Sequence, residues 1–323
     1  VIRFLKSEAG AVVLWVLGSM LLAAVITPWM HQAGKNLAAH VAIHDAAAWI
    51  EWLGTACDRA RFSRYFNRAL MLSSVVLLPA MFGRIRYLRR KEPLPPKKAA
   101  ALSASHGIAQ WFTGLILAGG LLWMLGMALE LAGAFEPTAK QISLGRIMSK
   151  AVVPALAVSV IEEWLFRGLL LGIWLKLAKP IPACIGTSLV FAFVHFLEPA
   201  NGAEIEDPFS AGAGFVLLGR IFSHFMAPQF IIAEFSTLFT VGLILAWAKI
   251  RTNSLWFPMG LHTGWILAFK GYNMIKGSVD GSPLRPWWIG DSLGIGLFPI
   301  LTLLLTGWLC HVVVRRFFAR TSA

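Results

Sequence analysis

The feature that most constrains this chain is a series of apolar runs, each near the length that one membrane-crossing helix requires. About 20 predominantly apolar residues wound as a helix satisfy their backbone polar groups internally and cross the hydrocarbon layer. Eight runs are read as spans: Gly10–Met30, Ala69–Gly83, Trp111–Leu129, Ala151–Leu175, Ile181–Leu197, Phe230–Ala248, Leu255–Phe269 and Ile295–Val314. Hydrophobic residues make up 57% of the sequence, more than a soluble core would need, so lipid must take up the excess. The expected fold class is all-α, a polytopic integral membrane helical bundle of about eight transmembrane helices.

A net charge of +13 would suit nucleic acid, but Lys and Arg gather at the ends of the runs instead of forming one stripe. That is the positive-inside pattern, and it excludes nucleic acid as a partner while making membrane lipid one. The clearest cytoplasmic loop is RIRYLRRKEPLPPKK at 84–98, where seven basic residues oppose Glu92 and three prolines break any helix. The acidic stretch 198–208 fits the opposite side. Together these predict a protein of the bacterial cytoplasmic (inner) membrane with both termini cytoplasmic and the first run kept as a signal anchor. Residues 31–64 read as a polar and amphipathic stretch, and 210–226 as an interfacial or partly re-entrant helix. The three cysteines have no paired spacing, so neither a disulfide framework nor a Cys-ligated zinc site is expected.

An ionisable side chain at the centre of a span costs about 2.5–3.5 kcal/mol on insertion scales, so such residues face the bundle interior and mark function by default. Three places stand out: Glu162, Glu163 and Arg167 in EEWLFRG, His195 in FAFVH, and His262 in GLHTGW. Glu163 and Arg167 are i and i+4 on one helix face and can pair, whereas Glu162 points about 100° away and stays available for chemistry. A carboxylate outside that pair and two imidazoles from separate helices can activate and position a water. Taken singly, a buried Glu–Arg pair also serves helix packing, and a lone membrane histidine also serves helix–helix hydrogen bonding. The combination on three helices is what favours chemistry.

In order and spacing, these residues resemble the CAAX protease and bacteriocin-processing (CPBP, or Abi) family, which includes the Ras-converting CAAX prenyl endopeptidases. The family pattern E-E-x-x-x-R is matched by Glu162, Glu163 and Arg167, and F-x-x-x-H by Phe191 and His195. The third motif, H-x-x-x-N or H-x-x-x-D, is matched at His262, but Ile266 stands where Asn or Asp is expected. The resemblance covers roughly residues 145–270. It implies an intramembrane endopeptidase in which Glu162 and His195 activate the water and His262 stabilises the oxyanion. Glu163 and Arg167 would be the structural ion pair supporting the site, and Phe191 a packing residue. A substrate peptide or protein with an apolar or lipidated terminus follows from the same likeness. The expected division is into 1–100 (a two-helix membrane region with amphipathic segment and basic loop), 101–275 (the CAAX-protease-like catalytic helical core) and 276–323 (a C-terminal helix and basic tail); the first and last of these carry no motif of the family.

No cofactor is favoured. Zinc is the alternative, with Glu162, His195 and His262 as ligands, but Glu162 would then be spent as a ligand and leave no general base. Isoleucine at 266 donates no hydrogen bond, so either Thr263 or a backbone N–H takes over, or catalysis is weak. A catalytically weak or inactive member acting as a membrane scaffold is the alternative function; a proton relay is a third, disfavoured because no broken-helix signals occur in repeat-related positions.

Overall fold

In the computed structural model, described over residues 6–91, 104–138, 142–197, 205–279, 282–285 and 287–318, ten helices and one short ribbon follow in order. They are α1 (Glu8–Ile43), α2 (Ala48–Arg59), α3 (Phe62–Lys91), α4 (Ala104–Leu131), β1 (Phe135–Pro137), α5 (Leu144–Lys176) and α6 (Pro180–His195). α7 (Ala213–His224), α8 (Ile231–Thr252), α9 (Trp256–Ile275), β2 (Lys276–Ser278) and α10 (Leu297–Phe318) complete the chain. Six of them, α1, α3, α4, α5, α8 and α10, are long and apolar enough to cross a membrane, and α6 and α7 are shorter apolar helices. The chain is a polytopic integral membrane protein. On α10, Leu301, Leu304, Leu305 and Trp308 are exposed, a surface that only lipid can cover without cost.

Several boundaries differ from expectation. The polar stretch foreseen at 31–64 is largely helical, because α1 continues without a break through His31, Lys35 and His40 to Ile43. A helix needs no apolar surroundings to keep its hydrogen-bond ladder, and HQAGKNLAAHVAI holds no proline to interrupt it. The second span also extends further at both ends, over Phe62–Leu88. α9, counted among the eight spans, is not one of the six long apolar helices; His262, Lys270 and Asn273 dilute its hydropathy. Part of the basic loop (92–98) and Glu198 and Glu204 of the acidic loop lie outside the described residues.

Two compact units divide the chain: Val1–Pro96 with His195–Ala227, and Lys97–Val194 with Pro228–Ala323. In the first, Ser7 caps α1 by accepting the N–H of Gly10 at 3.1 Å, and α1 packs along α3 and against α7. The α1–α7 contact depends on Gly214, where an added Cβ would strike the backbone of Ala24.

In the second unit the closest contact joins α4 and α9. An added Cβ at Gly260 or Gly264 would collide with the carbonyl oxygens of Trp111 and Leu115, and one at Gly114 with the backbone of Phe257 and Leu261. Small residues one turn apart let two membrane helices touch backbone to backbone. His262 lies between Gly260 and Gly264, so this contact fixes how far its side chain reaches. The sharp turn from α8 into α9 comes from Asn253, which takes the left-handed conformation at φ 49°, and from Ser254, whose hydroxyl accepts the N–H of Trp256 at 3.1 Å. At the other end of α9, β1 and β2 pair antiparallel with Glu136 opposite Gly277, a ribbon that an all-α reading does not foresee.

Candidate active site

α5 is not uniform. Wider π-helical turns occupy Met148–Val152 and Glu163–Leu170, the second beginning inside the acidic motif. There the N–H of Leu171 reaches back to the carbonyl of Phe166, five residues earlier. Such turns recur at functional sites because they re-aim side chains that a regular helix would stack.

The two glutamates meet different environments. Glu163 is fully buried, and its Oε1 accepts from Nη1 of Arg167 at 2.7 Å. The same oxygen lies 2.8 Å from Nδ1 of His262. A carboxylate engaged by a guanidinium accepts only, so Nδ1 of His262 carries the proton and donates it to Glu163. The outward ring nitrogen, Nε2, then stands 3.8 Å from Oε2 of Glu162, whose side chain keeps 23% of its exposure. Arg167 is also fully buried; its Nη2 donates to the carbonyl of Gly242 on α8 at 3.3 Å.

Phe191 closes one side of this cluster. The Arg167 guanidinium carbon lies 4.4 Å from its ring centroid, and the ring meets His262 and Phe166 edge-on at 6.0 and 5.1 Å. Cation–π contact of this kind is worth more when desolvated. Beneath His262, Thr263 Oγ1 donates to the carbonyl of Met259 at 2.7 Å and meets Ser159 Oγ of α5 at 2.7 Å. The Thr263 proton is thus committed, which removes that hydroxyl as a substitute for the donor missing at Ile266. Ile266 itself is half-buried one turn beyond His262.

The structure therefore brings Glu162, Glu163, Arg167, Phe191 and His262 together within one unit. His195 is the last residue of α6, one turn beyond Phe191, and groups by its contacts with the other unit. Three things are not legible in the sequence: that Glu163 serves Arg167 and His262 at once, that Gly242 takes the second guanidinium bond, and that Ser159 meets Thr263. Only the Gly260 and Gly264 spacing around His262 gives a sign that this histidine lies at a close helix crossing. Elsewhere on α9 the Tyr272 hydroxyl donates to the carbonyl of Gly126 at 2.7 Å and lies 3.3 Å from Oε2 of Glu130, both on α4.

Residues 145–268 match the family model described as type II CAAX prenyl endopeptidase Rce1-like. No curated protein and no solved structure matches the chain.

Proposed function

We propose that residues 145–268, which belong to the Rce1-like family of type II CAAX prenyl endopeptidases, supply the Glu/His catalytic centre of an intramembrane peptidase with Glu162 as its general base. One observation carries the reading: Glu163 accepts a hydrogen bond from Nδ1–H of His262, so that His262 Nε2 and Glu162 Oε2 face each other at 3.8 Å. A water about 2.8 Å from each atom completes that triangle with ordinary hydrogen-bond lengths.

In this mechanism Glu162, assisted by His195, removes a proton from the water, and the resulting hydroxide attacks the scissile carbonyl carbon. Negative charge moves to the carbonyl oxygen. His262 donates to that oxygen from Nε2–H. The ring is an imidazolium flanked by two carboxylates from before the water loses its proton until the amine leaves, so the Nε2 proton stays on the ring throughout and the only proton that moves is the one Glu162 takes from the water. Donors fixed before the charge develops cost no reorganisation. Collapse of the tetrahedral intermediate breaks the C–N bond, and the proton held on Glu162 passes to the departing amine. Glu163, Arg167 and Phe191 touch no reacting atom and act as positioning residues.

The substrate is a membrane-associated protein or peptide with an apolar or lipidated C-terminal region, and a prenylated CAAX end is the first to try. Both termini are cytoplasmic, in a bacterial inner membrane. The test is cleavage of a farnesylated peptide by the protein in proteoliposomes, read as release of the terminal tripeptide by mass spectrometry. His195→Ala and His262→Ala should each slow release by about a hundredfold or more. Parent-like rates in both variants would sink the assignment.

The reading uses no metal. A zinc ion would take Glu162, His195 and Nε2 of His262, and would supply a Lewis acid and a more acidic water. Glu162 would then be a ligand, and Glu163 is already engaged by Arg167 and His262, so neither carboxylate would be left as base. Cleavage is accordingly expected to survive prolonged treatment with 1,10-phenanthroline. A loss that zinc restores would show the assignment of Glu162 as base to be wrong. Ile266 favours a second reading, a scaffold in which the cluster only holds the bundle together.

A further inference from the structure

A cavity of about 570 Å³ runs beside the site, between α4, the first turns of α5 and the second half of α9. Its wall is apolar and stepped with small residues: Trp123, Gly119 and Gly120 on α4, and Gly264, Leu267 and Gly271 on α9. The volume falls within the range of small-ligand sites. From Gly264 to Ile275 the α9 wall is about 16 Å long at 1.5 Å per residue. At roughly 1.25 Å per bond, as in an extended chain, that length takes about a dozen carbons.

The cavity wall is tied to the ribbon at Ile275, since Thr138 N–H donates to the carbonyl of Ile275 at 2.7 Å and the next residue, Lys276, begins β2. Two cations gather on that ribbon around the ring of Phe135: the Lys276 ammonium 3.7 Å from the centroid and the Arg285 guanidinium carbon 5.7 Å from it. Lys276 donates to the carbonyl of Asp291, and Arg285 Nη1 pairs with the Asp291 carboxylate; Glu136 lies across the ribbon from Gly277. The Arg285 side chain is 85% buried by its 15% exposure, and its Nε and Nη2 have no hydrogen-bond partner among the described residues. Those two N–H groups form the planar fork that grips an oxyanion through two parallel bonds. Burial and the neighbouring Arg285 hold the Lys276 ammonium down to about 8, a cost that an adjoining anion relieves.

We propose that this cavity is a lipid site, holding one acyl chain of an anionic membrane phospholipid whose phosphate is bound by Arg285 and Lys276. An apolar groove alone accepts any hydrocarbon; Lys276, which follows the wall residue Ile275, and the Arg285 guanidinium that shares the Phe135 ring with it would select a chain that carries an anionic head. The lipid chain would end near Gly264, two residues from His262, so that occupancy stiffens the helix bearing the oxyanion donor.

The test is native mass spectrometry of the full chain released from liposomes of equal parts phosphatidylglycerol and phosphatidylcholine. One phosphatidylglycerol per protein should be retained, at least about tenfold over phosphatidylcholine. Retention should fall by at least about tenfold in the Lys276→Gln, Arg285→Gln double variant and in Gly120→Phe. The second variant guards against misfolding of the first: a Cβ at Gly120 meets nothing within 4 Å, so the ring enters open space. Equal retention of phosphatidylcholine would overturn the proposal. So would retention unchanged in both variants, or displacement of the lipid one for one by a farnesylated peptide, which would make the cavity the substrate's own groove. Since lipid retention is read without any cleavage, its failure and that of the peptidase reading are distinguishable.

Discussion

Glu162→Gln is expected to lower peptide cleavage by a factor of about 10²–10⁴ while leaving the folded protein intact. The magnitude is that of losing a positioned general base. The stability expectation follows from the difference between the two glutamates. Glu163 is fully buried and holds two partners, whereas Glu162 keeps 23% of its side-chain exposure and faces His262 Nε2 at 3.8 Å, beyond direct hydrogen-bond length. Glutamine keeps the shape and removes only the basicity. The measurement is a pair of assays on one preparation: tripeptide release in proteoliposomes and thermal unfolding in detergent. A rate within threefold of the parent would remove Glu162 from the chemistry and leave the scaffold reading standing. A large loss of stability would make the rate uninterpretable, and Glu162→Asp, which keeps the carboxylate, then decides: recovery of stability without recovery of rate retains the base assignment.

How much of this site can be read from the chain depends on the kind of geometry involved. Within one helix, periodicity suffices: Glu163 and Arg167 are separated by one turn, and they pair at 2.7 Å. The separate exposure of Glu162 follows from the same rotation. Between helices, periodicity gives nothing. That the pair is a three-membered cluster with His262 depends on α5 and α9 crossing at Ser159, Thr263 and the glutamates, and no spacing in either helix encodes the partner. The fold shows the same division. Apolar length locates the crossing helices, and Gly260 and Gly264 mark where α9 meets α4, because only a missing side chain permits that approach. Helix ends in polar sequence are less legible: α1 runs on to Ile43 although apolarity ends near Met30, since the hydrogen-bond ladder is indifferent to what surrounds it.

The cluster's asymmetry gives the second large effect: Glu163→Ala should cost substantially more stability than Arg167→Met. Both residues are fully buried, and removing one member of a buried pair strands the other's charge, at about 3–5 kcal/mol. Glu163→Ala meets that cost in full. It leaves the Arg167 guanidinium with the Gly242 carbonyl as its remaining hydrogen bond, and leaves Nδ1 of His262 without its acceptor. Arg167→Met strands less, because Glu163 still accepts from the His262 imidazolium, which remains beside it as a counter-charge. Methionine also fills the space against Phe191 and Phe166 that the guanidinium occupied. The loss there should be nearer about 1–3 kcal/mol, the range for a broken buried hydrogen bond. Activity should separate the variants in the same order: folded Arg167→Met keeps His262 oriented and retains measurable cleavage, whereas Glu163→Ala frees the ring and loses about a hundredfold or more even in its folded fraction. Unfolding titrations in mixed detergent micelles give the stabilities, and cleavage normalised to folded protein gives the rates. Equal losses of both kinds in the two variants would mean that Glu163 acts only as the arginine's counter-ion and that His262 is held by something else. The predicted inequality instead makes Glu163 the residue through which the ion pair reaches the reacting atoms.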